Sequence, residues 1–438
     1  MTRTIQSAVA NPYAARVCAA EVRFVTQRLL TPLQLSVGRI EVLTEARAQV
    51  EVEVGSQGAR GIGRGSIYLS DLWSWPGAAI DHDERDAILR DLCEQCALEF
   101  PRMAPDELLH PTELGLRLHE HACHGLEVRE DPPALARAMC SSPLDAAIHD
   151  AVGQAVGVSA FRFYDEPADI PAADAMFPQV GGTAAAVRRA LQIPRTTLPA
   201  WYLIGKDDDV AKTVCAAREK IGCFCFKLKI SGVDARLDAE RTAEVFTAAL
   251  NAGVDRPRIT VDSNEANPDV ASVMEYLDIL QGIDIDAYGA LEYLEQPTSR
   301  DIIQNAFDWR PVSDRKPVFL DEGLTDLSIL EAARQQGWSG LALKTCKGHS
   351  MLMASAAWGV AHGMPLALQD LTNPGVSLIH AALVGAYLPT VNGVELNSPQ
   401  YTPDANHDFL PRLSQLFEPR EGFHRLPSLT ANGLGSKL

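Results

Sequence analysis

Five charged residues, each closing a short apolar run, carry the clearest chemical signal in this 438-residue chain: Lys229, Asp262, Glu295, Asp321 and Lys344. They stand 33, 33, 26 and 23 residues apart. A strand, a helix and two loops take roughly 30 residues. The spacing therefore predicts one charged group per β/α unit, placed where the strand hands over to a loop. Three carboxylates from neighbouring strands suit a hard dication held through oxygen, which is magnesium's habit, and manganese can substitute. No His or Cys joins the set, which argues against zinc.

Strand alternation gives these residues a common side. In CFCFKLKI, Cys223, Cys225, Lys227 and Lys229 share one face, and Phe224, Phe226, Leu228 and Ile230 share the other. The same parity turns Thr260 with Asp262, and Ala342 with Lys344, inward. Lys227 and Lys229 leave their strand about 7 Å apart. At an effective dielectric of ~20 two such charges repel by roughly 2.4 kcal/mol. The expectation is that Lys227 holds the pKa of Lys229 down, so that Lys229 acts as a base near neutral pH. Lys344 then supplies a second base on the opposite face of a metal-held carboxylate. One lysine removes the α-proton, the metal stabilises the enediolate, and the other returns a proton.

The elements that must position this set fall into two groups. Residues 20–54 alternate apolar and polar residues in two runs, VRFV and IEVLTEARAQVEVEV, a strand or hairpin pattern. GIGRGSIYLSDLWSWPG reads as a glycine- and aromatic-rich loop, and Trp73 and Trp75 in it are candidates either to close a site or simply to pack. Helical stretches follow at about Asp83–Phe100, Pro111–His124 and Pro133–Val156. Strands first and helices after predict an α+β unit. From Leu198 on, strands and helices alternate. LPAWYLIG, CFCFKLKI, RITVDSN, LEYLEQP, PVFLDEG, LALKTC, PLALQD and GVELNS are the candidate strands. Eight repeats over about 200 residues predict a (β/α)8 barrel, with active groups at the C-terminal ends of its strands. A doubly wound open sheet would want an early phosphate-binding glycine turn, and GIGRG at 61–65 does not complete one.

A chain of this length exceeds one hydrophobic core. A formal net charge of −18 disfavours nucleic acid and anionic membranes as partners. No apolar stretch is long enough to span a bilayer, and the N-terminus does not read as a signal peptide. Nine cysteines without framework spacing favour a reducing compartment, with the cytoplasm as the default. Cys93 and Cys96 form a lone CxxC in a helical pattern, without a second pair to complete a zinc site.

At KLK 227–229, DSN 262–264, EQP 295–297, DE 321–322 and LK 343–344 the chain resembles the enolase superfamily. More narrowly, it resembles the two-lysine, muconate-lactonizing-enzyme-like subgroup of the mandelate racemase family. The resemblance covers about residues 198–398. It implies an α+β capping domain over 1–155, a TIM-type barrel over 156–400, and a C-terminal segment over 401–438 that returns to the cap. SSPLDAAIHDAVGQAVG, 141–157, is similar to the family's helix leading from cap to barrel. It implies Asp262, Glu295 and Asp321 as magnesium ligands and Lys229 and Lys344 as the acid/base pair, with Lys227 beside them. Asn264, Glu322, Asp370, Glu395 and Asn397 would brace these groups or meet the substrate. A mandelate-racemase-type site would need a histidine at the end of strand seven, and LALQD has none. After the strand-six lysine the family often has Gly-Gly, whereas this chain has TCKGHS, in which Lys347 competes with Lys344. The Asp-x-Asp of dipeptide epimerases is replaced by Glu395 and Asn397, which puts a dipeptide substrate in doubt.

The reading is thus an isomerase, a racemase or epimerase acting on a small carboxylate. A cycloisomerase or a syn-dehydratase, a lyase, would use the same residues. More distant alternatives are a Schiff-base lysine aldolase, which leaves the carboxylates idle, and a non-catalytic barrel scaffold. Assembly into homo-oligomers stays open. Two local signals carry less weight. HEHACH, 119–124, looks metal-like but misses HExxH, because position 123 is Cys; a polar helical face is the expectation, with His119 facing Cys123 and Glu120 facing His124. Lys206 with Asp207–Asp209 is a loop running into an acidic helix start.

Overall fold

Three long strands open the protein: β1 (Ala15–Leu35), β2 (Gly38–Val54) and β3 (Ala59–Leu69) form an antiparallel sheet in that order. The computed structural model describes residues 11–35, 38–426 and 431–438. β3 corrects an expectation, since GIGRGSIYL is strand and not loop. Its buried face carries Gly61, Gly63 and Gly65, while Arg60, Ile62 and Arg64 face out. The glycines exist for close approach. A Cβ at Gly61 would lie 2.2 Å from the Ala151 carbonyl oxygen, at Gly63 2.1 Å from the Ala151 nitrogen, and at Gly65 2.1 Å from the Pro143 carbonyl oxygen. The helix Ala134–Val156, which owns those atoms, lies directly on the strand. Glycine on the buried face hides the alternation that normally reveals a strand.

The helices His82–Glu99, Pro111–Glu120 and Ala134–Val156 complete this first region. The second is shorter than expected. After Glu120 the chain passes into a single π turn, His121–Gly125. Asp81 starts the first helix by accepting from the Glu84 amide at 2.9 Å, the usual way to satisfy a free first-turn donor. Cys93 and Cys96 are buried in that helix, and all nine cysteines are unpaired.

Beyond, the strands become parallel. β4 (Thr197–Pro199) and β5 (Trp201–Ile204) divide the expected first strand. Then come β6 (Cys225–Lys229), β7 (Arg258–Asp262), β8 (Leu291–Glu295), β9 (Val318–Leu320), β10 (Gly340–Lys344) and β11 (Leu366–Gln369). β5 to β11 form one seven-stranded sheet in sequence order, with every neighbouring pair parallel. One side packs against helices. On the other, Tyr293, Phe319, Ala342 and Ala367 make a separate small core, with the two rings stacked at 4.3 Å. Each of these residues lies two positions before a strand-end polar group: Glu295, Asp321, Lys344 and Gln369. The expected parity is what stacks that layer directly beneath the site.

GVELNS does not form an eighth strand. It makes one isolated parallel bridge to β11, Gln369–Glu395, and Thr390 just before it makes another, to Leu366. Gly393 takes a left-handed φ of +71°, which breaks the extended run. Asn392 substitutes for a ladder: its Oδ1 accepts from the Leu368 amide at 3.0 Å and its Nδ2 donates to the Leu368 carbonyl at 2.9 Å. The same segment reaches β5 through side chains. Asn397 Nδ2 donates to the Trp201 carbonyl, and Gln400 bonds both the amide and the carbonyl of Leu203.

A last strand, β12 (Phe423–Arg425), pairs antiparallel with β4. Residues 431–438 then return to the helix Ala134–Val156, where Asp150 accepts from the Leu434 amide at 3.0 Å. Residues 427–430 of the expected terminal segment lie outside the described residues. Among the described residues no helix is long and apolar enough to cross a membrane.

Candidate active site

Register places the site. Lys229 pairs with Asp262 across β6 and β7, Asp262 with Glu295 across β7 and β8, and Asp321 follows directly on β9. Three carboxylates thus stand in a row on adjacent strand ends, each at most 1% exposed. Lys229 Nζ donates to Asp262 Oδ2 at 2.5 Å at one end of the row. Lys344 Nζ lies 2.6 Å from Asp321 Oδ2 at the other. Lys227 sits in the middle, donating to both oxygens of Glu295 at 2.9 and 3.0 Å. It also lies 3.2 Å from Asp262 and 3.4 Å from Glu395.

This arrangement changes the role expected of Lys227. It does not stand as a bare charge beside Lys229, because carboxylates enclose it. Burial disfavours its charge, but Glu295, Glu395 and Asp262 outweigh that and raise its pKa well above the lysine value. Lys344 is also raised, with Asp321 and Glu295 overcoming burial. The carboxylates diverge. Burial pushes Asp262 up, but Lys229 and Lys227 hold it at about 2. Lys344 and Lys347 hold Asp321 far below the carboxylate range against the same penalty. Glu295 goes the other way: burial, with Asp262 and Asp321 on either side, drives it well up despite Lys227. Glu322 rises to about 7 through burial and the charges of Asp321 and Asp262.

A row in which the central carboxylate is forced toward protonation by its neighbours has room electrostatically for more positive charge. The donor set is all oxygen, buried and fixed on three adjacent strands. It fits a magnesium ion.

Asn264, Glu322, Asp370, Glu395 and Asn397 lie around the row and its lysines. Asn264 Oδ1 accepts from Lys229 Nζ at 2.9 Å, and its Nδ2 donates to Glu322 Oε1 at 3.2 Å. Asp370 Oδ1 accepts from the Thr372 amide and, at 3.4 Å, from the Asn397 amide. Glu395, Asn397, Lys227, Lys229, Lys344 and Asn264 line a small cavity of about 60 Å3. Leu33, Ile40 and Leu43, from β1 and β2, roof it with Trp73.

Two further side chains hold the carboxylate row. Gln369 Nε2 donates to Glu295 Oε2. It ends β11 in the same position that Lys344, its register partner, holds on β10, so the strand-end rule finds it once uncharged residues are admitted. Lys347 joins Lys344 on Asp321: its Nζ lies 3.0 Å from Asp321 Oδ1.

Trp73 belongs to the site. Its Nε1 donates to Glu322 Oε1 at 2.7 Å, and Lys344 Nζ sits 4.7 Å from its ring centre. Arg300 fixes this short helix, Asp71–Ser74, by pairing with Glu265 while donating to the Trp73 carbonyl at 3.0 Å and the Ser74 carbonyl at 3.2 Å. No motif in the sequence announces that latch.

Residues 209–438, more than half of the chain, match the family described as enolase C-terminal domain-like. The chain belongs to that family. It is therefore an enzyme of the enolase superfamily, whose members are isomerases or lyases. No curated protein matches it. Solved structures do. The chain is similar to the muconate lactonizing enzyme of Pseudomonas fluorescens complexed with muconolactone, at 19% identity and TM-score 0.62, covering 96% of each chain. It is similar to the N-succinyl Arg/Lys racemase of Bacillus cereus ATCC 14579, at 15% identity and TM-score 0.64, covering 96% of this chain and 95% of that one. It is also similar to the dipeptide epimerase of Enterococcus faecalis V583 complexed with Mg and the dipeptide L-Leu-L-Tyr, at 14% identity and TM-score 0.62, covering 96% and 99%. At these identities the likeness establishes the fold.

Proposed function

We propose that this enzyme abstracts the α-proton of a small carboxylate substrate and returns a proton to the opposite face, as a racemase or epimerase of the two-lysine kind. The observation that carries the reading is the row Asp262–Glu295–Asp321 with Lys229 bonded to one end and Lys344 to the other. Asp262, Glu295 and Asp321 would hold the magnesium. When bound, magnesium supplies a positive centre for the substrate carboxylate and for the charge that builds there as the α-proton leaves. Lys229 and Lys344 hold and move the proton, one on each side. Lys227, Lys347 and Gln369 keep the carboxylates in place. The roof of Leu33, Ile40, Leu43 and Trp73 excludes water.

We take residues 1–155 as the cap, 156–400 as a barrel closed by the 390–400 segment in the eighth position, and 401–438 as the returning tail. Nine unpaired cysteines suit a reducing cytoplasm. An imine-forming aldolase fits poorly, since it uses one lysine and leaves the row Asp262–Glu295–Asp321 without a role.

The test is α-deuterium uptake in D2O from a panel of α-substituted carboxylates with magnesium present. The reading expects uptake that disappears with EDTA and that Lys229→Ala loses for one enantiomer of the substrate. Metal-independent activity trapped by borohydride would replace it with the aldolase.

A further inference from the structure

The helix Pro111–Glu120 and the π turn that ends it carry HEHACH toward the loop following β9. We infer that Glu120, His124 and Asp326 form a second metal site, for a borderline dication such as zinc rather than for magnesium. One ligand atom from each residue lies within 4.8 Å of the others, an imidazole nitrogen and two carboxylate oxygens. Two come from one turn and the third from a loop some two hundred positions later in the chain. Local sequence alone does not produce that meeting. The π turn is itself a departure from regular helix of the kind found at functional sites.

A second observation points the same way. The polar helical face expected of HEHACH would leave His119 in water, but it is 4% exposed. Its Nε2 lies 3.0 Å from the Thr325 carbonyl oxygen. A carbonyl only accepts, so the proton belongs on Nε2 and Nδ1 keeps a bare lone pair. That Nδ1 is buried and finds no hydrogen-bond partner among the described residues, and the same holds for His121 Nε2. His119, His121, Glu120, His124 and Asp326 all line one cavity of about 990 Å3. Buried polar atoms are nearly always satisfied. Glu120, His124 and Asp326 offer one nitrogen and two oxygens, a mixed donor set that suits zinc-like ions, and His119, with its unsatisfied nitrogen, lines the same cavity. The bond to Thr325 also fixes the backbone next to Asp326. An ion here would tie the cap helix to the loop that begins with Asp321 and Glu322.

Equilibrium dialysis of zinc against the full chain, with magnesium in excess, tests this directly without reference to catalysis. His124→Ala and Asp326→Asn should each weaken binding of one zinc per chain by more than about tenfold. Glu331→Gln, on the same cavity wall, should not. Asn at 326 can keep the bond that Asp326 Oδ1 accepts from the Ser328 amide, and His124 is exposed, so both variants should fold. Failure to bind zinc, or zinc binding unchanged in both variants, overturns the assignment.

Discussion

Lys344 and Trp73 meet face to face: the Lys344 Nζ lies 4.7 Å from the centre of the indole, whose own Nε1 donates to Glu322 at 2.7 Å. One side chain from the first region therefore touches a proposed base and a buried carboxylate beside the proposed metal ligands. Trp73→Phe keeps a ring under Lys344 and removes the donor to Glu322. Asn264 still donates to that Glu322 oxygen at 3.2 Å, so the variant loses one of the oxygen's two hydrogen bonds, worth about 0.5–1.5 kcal/mol. The expected result is a stability loss of that size in urea unfolding, with the fold retained by circular dichroism. An unchanged midpoint would mean that the Trp73–Glu322 bond contributes nothing.

The two proposed bases are separable. Lys229 and Lys344 stand at opposite ends of the carboxylate row, so Lys229→Ala should stop α-deuterium uptake from one enantiomer of a substrate and Lys344→Ala from the other. Each loss should be about 100-fold or more, the usual worth of a positioned acid or base. A cycloisomerase or dehydratase predicts a different pattern, in which one variant keeps turnover. Equal loss of both enantiomers in both variants would sink the two-base scheme.

Much of this site is legible in the sequence because it rests on strand parity and strand ends. The pairs Lys229–Asp262 and Asp262–Glu295 fall in register because each closes its strand. Parity also puts Tyr293, Phe319 and Ala342 beneath the polar layer. What escapes depends on contacts between distant segments. Gly61, Gly63 and Gly65 read as loop, since nothing local shows that the helix Ala134–Val156 lies on them. The eighth strand is interrupted where Gly393 turns left-handed and Asn392 bonds β11 through its side chain between the backbone bonds of Val391 and Glu395. In the sequence Lys227 stands beside Lys229, whereas the carboxylate it bonds through both oxygens, Glu295, is 68 residues away.

Magnesium should stabilise the folded protein as well as support catalysis. A ligand at about 100 times its dissociation constant adds roughly 2.7 kcal/mol to a state that alone binds it. A thermal midpoint that rises with magnesium and falls back with EDTA is expected, with the rise absent in Asp262→Asn and Asp321→Asn. If the rise persists in both variants, the ion binds elsewhere.

The glycine face of β3 makes a packing prediction. In Gly63→Ala the added carbon would fall 2.1 Å from the Ala151 nitrogen and 2.2 Å from the Ala147 carbonyl oxygen, both rigid helix backbone. Strand and helix must separate, and the loss should exceed about 3 kcal/mol, beyond the usual overpacking range. Gly289, in the short helix Ile285–Ala290, has open space within 4 Å of where an added methyl carbon would stand. Gly289→Ala should be neutral or stabilising by up to about 1 kcal/mol. Melting the two variants side by side checks the contrast.

A buried histidine supplies a pH test far from the site. His424, on β12, is 1% exposed, and its Nδ1 lies 2.7 Å from the Leu416 carbonyl oxygen, so Nδ1 carries the proton and donates. Burial lowers its pKa from 6.5 to about 4, with that hydrogen bond opposing the shift only in part. Between pH 6.5 and about 4 the unfolded chain therefore binds a proton that the folded chain refuses. Stability associated with this group is complete above pH 6.5 and is lost as pH falls through that window, at about 1.4 kcal/mol per pH unit. His424→Asn offers a similar donor to Leu416 and cannot titrate. Urea unfolding across the window should show a slope smaller by that amount in the variant than in the parent chain. Parallel slopes would mean that His424 titrates alike in the folded and unfolded states.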